Sequence, residues 1–336
     1  MRPILPGPTP MVIRALDLFC GGGGSSWGAQ AAGAHIVAGI DAWDFAISVF
    51  EQNFPESKAI NVTLRSGSGP GDFPDLGNID LLLASPECTH HTCARGNRPQ
   101  SEASKRTARY VLNFARELKP RWLVIENVVH MKGWSGYESL VRDLEALGYY
   151  VLPQILDAAR LGVPQSRRRL FLLCDRSAMP RDVPLRRGRP PTARSVLDPR
   201  DRWESRPIGE GTHAPATLER IQRGINAHGK GIDFLVVYYG SDGAGGWHPL
   251  NRPLRTITTL DRFALVTWDG RTPMLRMLQV PELKRAMGFD EEFVIDRGSR
   301  RNRIKVLGNG VCPPVMAAIV SALTGCGAAE LLLKVA

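Results

Sequence analysis

The sequence predicts a doubly wound α/β layer joined to a smaller, irregular and basic second domain. Three observations carry this. Short β-rich runs alternate with helical patterns through the first half of the chain. One of them, Ile79–Ala84, is an apolar run of the kind buried on both faces of a parallel sheet. After Cys174 the composition turns rich in arginine, proline and glycine. A length of 336 residues suits two compact domains better than one.

In order, Arg14–Phe19 reads as a strand running into a glycine cluster, and a helix follows from Ser25 or Ser26, both good N-caps, to about Ala32. His35–Asp41 and Ala59–Asn61 read as strands flanking a helix over Ala42–Phe54. Ala103–Leu118 is a helix stopped by Lys119-Pro120, Trp122–Ile125 a strand, Tyr137–Leu147 a helix ended by Gly148, and Arg169–Cys174 a late strand. Gly209 to Gly246 shows no helical period of useful length, Val280–Phe289 starts as a helix, and Val315–Leu323 is a terminal helix. The expected division is 1–174, completed by 303–336, and 175–302. In such a layer ligands bind beyond the carboxyl ends of the strands.

Hydrophobic residues make up 43% and charged ones 23%, so a core can form and disorder is excluded. No apolar run approaches the ~20 residues of a membrane span, and the proline-rich start lacks a signal-peptide core. A cytoplasmic protein with no membrane partner is expected. Six cysteines without a Cys-x-x-Cys pair make neither a disulfide framework nor a zinc module, and no metal site is expected. The surplus of 43 Lys+Arg over 33 Asp+Glu points toward a polyanionic partner. Residues 181–206 concentrate it, with eight arginines against four acids, although a solvated surface would have the same composition.

The chemistry sits at strand ends. In Asp17-Leu18-Phe19-Cys20-Gly21-Gly22-Gly23-Gly24 the glycines allow a sharp turn and close approach to a ligand, and the next helix offers free N–H groups. Asp41, at the tip of the second strand, could accept from a ribose diol or cap a helix. Cys88 enters a loop with His90, His91, Arg95 and Arg98, whose positive charge would lower a thiol pKa and suit a nucleophile. A metal cluster of Cys88, His90, His91 and Cys93 matches no standard zinc spacing. Glu126-Asn127 after an apolar strand gives either a helix cap or a carboxyl of raised pKa able to protonate a ring nitrogen. In Gln165-x-Arg167-Arg168-Arg169, an arginine beside a strand is a natural clamp for a base carbonyl or phosphate.

Taken in order, these segments resemble the DNA (cytosine-5)-methyltransferases. Asp17–Gly24 is similar to that family's cofactor loop, Ser85–Cys88 to its nucleophile loop and Glu126-Asn127-Val128 to its Glu-Asn-Val motif. Gln165-x-Arg167-x-Arg169 resembles its Gln-x-Arg-x-Arg motif, Pro281-Glu282 through Met287-Gly288-Phe289 its Arg-Glu…Gly-Phe helix, and Gly308-Asn309-Gly310-Val311 its Gly-Asn-x-Val. The likeness covers about 14–174 and 250–320.

The resemblance implies a Rossmann-like S-adenosylmethionine-dependent methyltransferase sheet with a target-recognition domain. It implies methyl transfer from S-adenosylmethionine to carbon 5 of a flipped cytosine in duplex DNA. Cys88 would add to carbon 6, Glu126 would bind or protonate N3, and Arg167 and Arg169 would hold the base and loop, with Arg169 on the base O2. Phe19, Gly21, Gly23, Asp41, Ala42, Asn61, Val62, Pro86, Asn309 and Gly310 match cofactor-contacting positions. Duplex DNA is the implied partner of a monomer, with a cognate restriction endonuclease as a further one.

Some positions depart from the family. Glu87 separates Pro86 from Cys88 where Pro-Cys-Gln is commonest; Ser-Pro-x-Cys-Thr-His resembles a bacterial and phage branch with the same shift, Cys93 being the alternative nucleophile. Trp43 stands one residue beyond the usual tryptophan, and Asn61 replaces an Asp. Arg252–Thr259 resembles a supporting strand. A tRNA substrate, an exocyclic amine and a non-catalytic DNA-binding relic are the competing readings.

Overall fold

Seven strands form the large sheet of this computed structural model, which describes residues 12–86, 102–209, 213–239 and 245–326. They are β1 (Ile13–Leu18), β2 (Ala34–Asp41), β3 (Lys58–Asn61), β4 (Leu81–Ala84), β5 (Trp122–Val128), β6 (Tyr150–Asp157) and β7 (Arg168–Asp175). Their order is β3-β2-β1-β4-β5-β7-β6. The first five are parallel, and β7 runs antiparallel to both β5 and β6. The order reverses between β1 and β4, which opens a crevice at the carboxyl ends of those strands.

Period-two alternation gives this sheet two buried faces. Ala15, Leu81, Leu83, Val124, Phe171 and Leu173 face one core, with α1 (Gly24–Ala31), α2 (Asp44–Asn53) and α8 (Pro313–Thr324). Leu16, Leu18, Leu82, Leu123, Ile125 and Leu172 face the other, with α3 (Glu102–Leu118) and α4 (Tyr137–Ala146). Arg300–Thr324, which comprises α7 (Arg300–Asn309) and α8, is long and apolar enough to cross a membrane, but its most apolar window is two-thirds buried in this protein.

The region expected to be irregular holds a five-stranded antiparallel sheet. It comprises β8 (Arg206–Pro207), β9 (Phe234–Val237), β10 (Trp247–Pro249), β11 (Phe263–Asp269) and β12 (Thr272–Met277), in the order β10-β9-β11-β12-β8. Its own core is Phe234, Val236, Ala264, Val266 and Leu275, closed by Ile221 from α5 (Pro215–His228).

The structure corrects several local expectations. Gly23, in the left-handed region at φ 95°, is the N-cap of α1, not Ser25 or Ser26; neither serine caps, because both are inside the helix and Ser26 Oγ donates to Asp17. The helix α5 falls within Gly209 to Gly246, where the sequence shows no helical period of useful length. Its interior Gly224, a poor helix former, is required because a Cβ there would lie 2.1 Å from the Phe234 ring. Strand β6, absent from the expected order, holds Pro153 on a partly exposed edge, where the missing N–H costs no ladder bond. Arg252–Thr259 is not a strand. It is an extended strap with a single parallel bridge, Leu254 to Gln165.

The two sheets are tied by α6 (Val280–Ala286). Its Glu282, fully buried, accepts from Arg276 of β12 through both carboxylate oxygens (2.7 and 2.8 Å), from Asp198 N and from Gln279 N. Both charges lie in a low-dielectric interior, so each depends on the other. Glu282→Gln should lower unfolding stability by about 3 kcal/mol in urea titrations, with Arg276→Met in the same background restoring part of it. An unchanged urea midpoint for Glu282→Gln would contradict this role.

Candidate active site

The polar side chains of the candidate site lie at or near the carboxyl ends of the strands, with Asp41 on β2, Ser85 just after β4 and Glu126 on β5. At the end of β1 the chain turns through Phe19, which holds φ 57°, a costly value for a residue with a Cβ. That turn starts the glycine loop. Gly24 lies so close to the segment after α7 that a Cβ would sit 2.3 Å from Val311 O, so the loop and residues 309–312 are packed backbone to backbone. Asp41, at the end of β2, ties the loop down from the other side. Its Oδ2 accepts from Gly21 N (2.9 Å) and its Oδ1 from Trp43 N (2.8 Å). One carboxylate therefore joins the loop to the turn leading into α2, and it does not cap that helix, whose N-cap is Trp43 with no side-chain cap. Asn61 Nδ2 donates to Asp41 O (3.1 Å), joining the ends of β2 and β3. Ala42 and Asn61 are exposed at this rim, and Val62 is 37% exposed. The Trp43 ring is packed beside Phe45 and beneath the Lys305 ammonium, 4.1 Å from its centroid.

Asp17 lies beneath the loop, fully buried. Ser26 Oγ donates to its Oδ2 (2.7 Å), while Oδ1 is a buried atom with no hydrogen-bond partner among the described residues. Burial pushes its carboxyl up to about 7, against the opposing Ser26 hydrogen bond and with a further push from Asp41.

The loop after β4 is anchored to β1 by Ser85 N, which donates to Leu18 O (3.1 Å). Pro86 O lies 3.5 Å from Asn127 Nδ2. Cys88, with Glu87, Thr89, His90, His91, Thr92, Cys93, Arg95 and Arg98, lies outside the described residues. Glu126 lies within β5, not after it, and is 8% exposed. It pairs with Arg169 Nε at 3.2 Å across the β5–β7 ladder. Burial raises the Glu126 carboxyl, and Arg169 and then Arg167 pull it back. Glu126, Arg167, Arg169, Phe171 and Cys312 line one small hollow. Cys312, buried there, is held up at about 11 by its surroundings and stays a neutral thiol at physiological pH.

Arg167 and Gln165 are occupied differently. The Arg167 guanidinium donates to Ile257 O (3.0 Å) in the strap, and to Gly308 O (2.8 Å) and Gly310 O (3.0 Å) on either side of Asn309. Burial lowers it only to about 10, so it keeps its charge. Gln165, fully buried, accepts from Ile257 N (2.7 Å) and donates to Ala286 O (3.0 Å). Of the two roles expected for Arg167, its contacts serve loop geometry; Arg169 is the arginine paired with Glu126. Ile257 and Asp157, distant from this motif or unremarkable in sequence, are partners that no sequence signal marks. Asp157 accepts from Ser166 Oγ and from Arg167 N, turning β6 into the motif. Among the described residues no group of three or more His, Cys, Asp or Glu could hold a metal.

A carboxyl raised in the folded state stabilises fully below its unfolded pKa and loses that contribution as pH rises through the folded one. For Asp17 the window runs from about 4 to about 7. Asp17→Asn should therefore be the more stable protein above pH 7 relative to wild type, and lose that advantage, by up to about 4 kcal/mol, as pH falls to 4. Urea melts of both proteins at pH 4, 5.5 and 7.5 check this, and a difference constant with pH would contradict it.

A family model for C-5 cytosine-specific DNA methylases matches residues 13–325. Type II methyltransferase M.HindV of Haemophilus influenzae is 31% identical over 161 residues, 48% of this chain and 52% of that protein. The mouse tRNA (cytosine(38)-C(5))-methyltransferase is 28% identical over 172 residues, 50% of this chain and 44% of that protein. These alignments span about half the length of the curated relatives. A putative DNA modification methyltransferase encoded within an E. coli prophage shares the fold, with a TM-score of 0.68 at 18% identity, over 94% of this chain and 99% of that one. With its strand ends, glycine loop and Glu126–Arg169 pair arranged as described, the chain belongs to the C-5 cytosine-specific DNA methylase family.

Proposed function

We propose that this protein transfers a methyl group from S-adenosylmethionine to carbon 5 of cytosine in duplex DNA, using Cys88 as nucleophile. The observation that carries the reading is the Glu126–Arg169 pair near the carboxyl end of β5, with Glu126 buried and Arg169 half-buried. A raised carboxyl next to a guanidinium suits a cytosine edge, which offers N3 and O2 together.

The loop suits the cofactor on its own features. A Cβ at Gly21 would meet no atom within 4 Å, so the backbone borders open space. Asp17 Oδ1 remains an unused buried acceptor. Asp41 would receive the ribose hydroxyls, with Phe19, Gly21, Gly23, Ala42, Asn61, Val62, Pro86, Asn309 and Gly310 around the remainder. S-adenosylmethionine, when bound, supplies an electrophilic methyl group.

The chain's own groups prepare the base for it. The Cys88 thiolate forms a bond to carbon 6, and the displaced electron pair is drawn toward N3, where Glu126 places a proton. Arg169 holds O2 and keeps Glu126 oriented. Arg167 keeps the carbonyls around Asn309 fixed during these steps. Carbon 5, now electron-rich, would take the methyl group as its bond to the sulfonium sulfur breaks; the carbon-5 proton would leave to solvent, the Cys88 sulfur would depart with its electron pair, and Glu126 would recover the N3 proton. A base in a duplex cannot reach this hollow without flipping. Residues 175–302 are the part proposed to lie along DNA, as a monomer that a cognate restriction endonuclease would accompany.

The 28% identity to a tRNA methyltransferase favours tRNA as the second reading. Radiolabelled methyl transfer to duplex DNA and to tRNA, side by side, should favour DNA; transfer to tRNA alone would overturn the choice. Duplex carrying 5-fluorocytosine should trap a covalent adduct that Cys88→Ala cannot form. Glu126→Gln should lower turnover by about 10²–10⁴-fold with cofactor binding retained. An adduct in Cys88→Ala would contradict the nucleophile assignment.

A further inference from the structure

The small sheet carries a cavity of about 330 Å³, away from the Glu126 hollow, between the end of α5 and β10. His228, Trp247, His248, Asn251, Arg252 and Arg255 line it, and no carboxylate does. Its volume lies in the range of small-ligand pockets. The exposed Arg252 guanidinium makes no hydrogen bond or ion pair among the described residues, whereas Arg255 Nη2 donates to Trp247 O (3.3 Å). His248 Nε2 lies 2.9 Å from Pro253 O and so donates to it, while burial and the two arginines depress its pKa, keeping the ring neutral. The His228 ring meets the Trp247 indole edge to face at 4.5 Å, and its Nε2 is a buried atom without a hydrogen-bond partner among the described residues.

An aromatic wall, two guanidinium groups, imidazole and amide hydrogen-bonding groups and no acid are what a base with its phosphate requires. The cavity also shares a segment with the Glu126 hollow. The strap that bears Arg252 and Arg255 pairs at Leu254 with Pro164 and Ser166, and two residues after Arg255 it gives Ile257 O to Arg167. A ligand held here is therefore held on the same backbone that helps to shape the hollow.

We infer that this cavity is a nucleotide-binding site, with the base against Trp247 and His228 and the phosphate on Arg252 and Arg255. Its occupant is one nucleotide of the DNA substrate, which rests on the methyltransferase reading above. A free mononucleotide has the same chemistry and is distinguished in the test.

Duplex affinity is measured by fluorescence anisotropy at several salt concentrations, without turnover, for wild type, Arg252→Gln and Trp247→Leu. Equilibrium dialysis of the four labelled deoxynucleoside monophosphates runs alongside, and thermal melts report folding. Arg252→Gln, at an exposed position, should melt as wild type, bind duplex more weakly and lower the slope of log K against log salt by about 0.9, one phosphate contact. Trp247→Leu should weaken duplex binding about tenfold with the salt slope unchanged, since stacking releases no counterions. Monophosphate binding lost in Arg252→Gln, with duplex binding untouched, would keep the site and assign it to free nucleotides. Wild-type values in both arms for folded variants would overturn it. Duplex binding that depends on Arg252 in a protein that transfers no methyl group would retain this site and reject the methyltransferase reading.

Discussion

The Arg167 guanidinium is the interaction on which the rest of this site depends. It lies at the start of β7 and reaches three carbonyls that the sequence places 90 to 143 residues away. One belongs to the strap from the small sheet and two bracket Asn309, the last residue of α7. Without it, two buried carbonyls and a part-buried one would lack their shared donor, at about 1–3 kcal/mol per buried group left unpaired. A planar fork meets three acceptors in fixed directions, which a lysine ammonium cannot do in the same space. Gly308 lets the strap come that close, since a Cβ there would lie 2.2 Å from Thr258 O. Around this tie the glycine loop packs on Val311, and Arg169, one β-repeat along, faces Glu126.

Charge is arranged by burial. Asp17, Glu126 and Arg167 are shut away from solvent, and burial shifts each toward its neutral form. Glu126 and Arg167 have partners that hold the shift in check, while Asp17 has one serine. The basic surplus is less free than its count suggests. Within 181–206, Arg200 pairs with Asp233 (2.7 Å) and Arg206 with Glu204 (3.5 Å), which leaves fewer arginines for a polyanion.

Much of the large sheet was legible because its strands are apolar runs ending in polar motifs, and the motifs sit where those strands end. Asp41, Glu126 and the glycine loop could be placed on strand tips from pattern alone. What could not be read depends on contacts between distant residues. Gly224 reads as a helix breaker until Phe234 is seen packed against it. Arg300, Arg301, Asn302 and Arg303 give α7 no apolar stripe in its first turn, so its period is hidden. Pro153 argues against a strand unless that strand is an edge. Arg167 and Arg169 are alike in sequence, and only the carbonyls around the first and the carboxylate beside the second distinguish the arginine that ties loops together from the one proposed to meet the base.

Arg167 couples the Glu126 hollow to the segment that packs on the glycine loop, through the carbonyls around Asn309. The most direct measurement is the affinity of Arg167→Lys for S-adenosylmethionine by isothermal titration, at a temperature where circular dichroism shows it folded. This coupling should make cofactor binding about tenfold weaker or more, although Arg167 does not line the glycine loop. Wild-type affinity in the folded variant would contradict it.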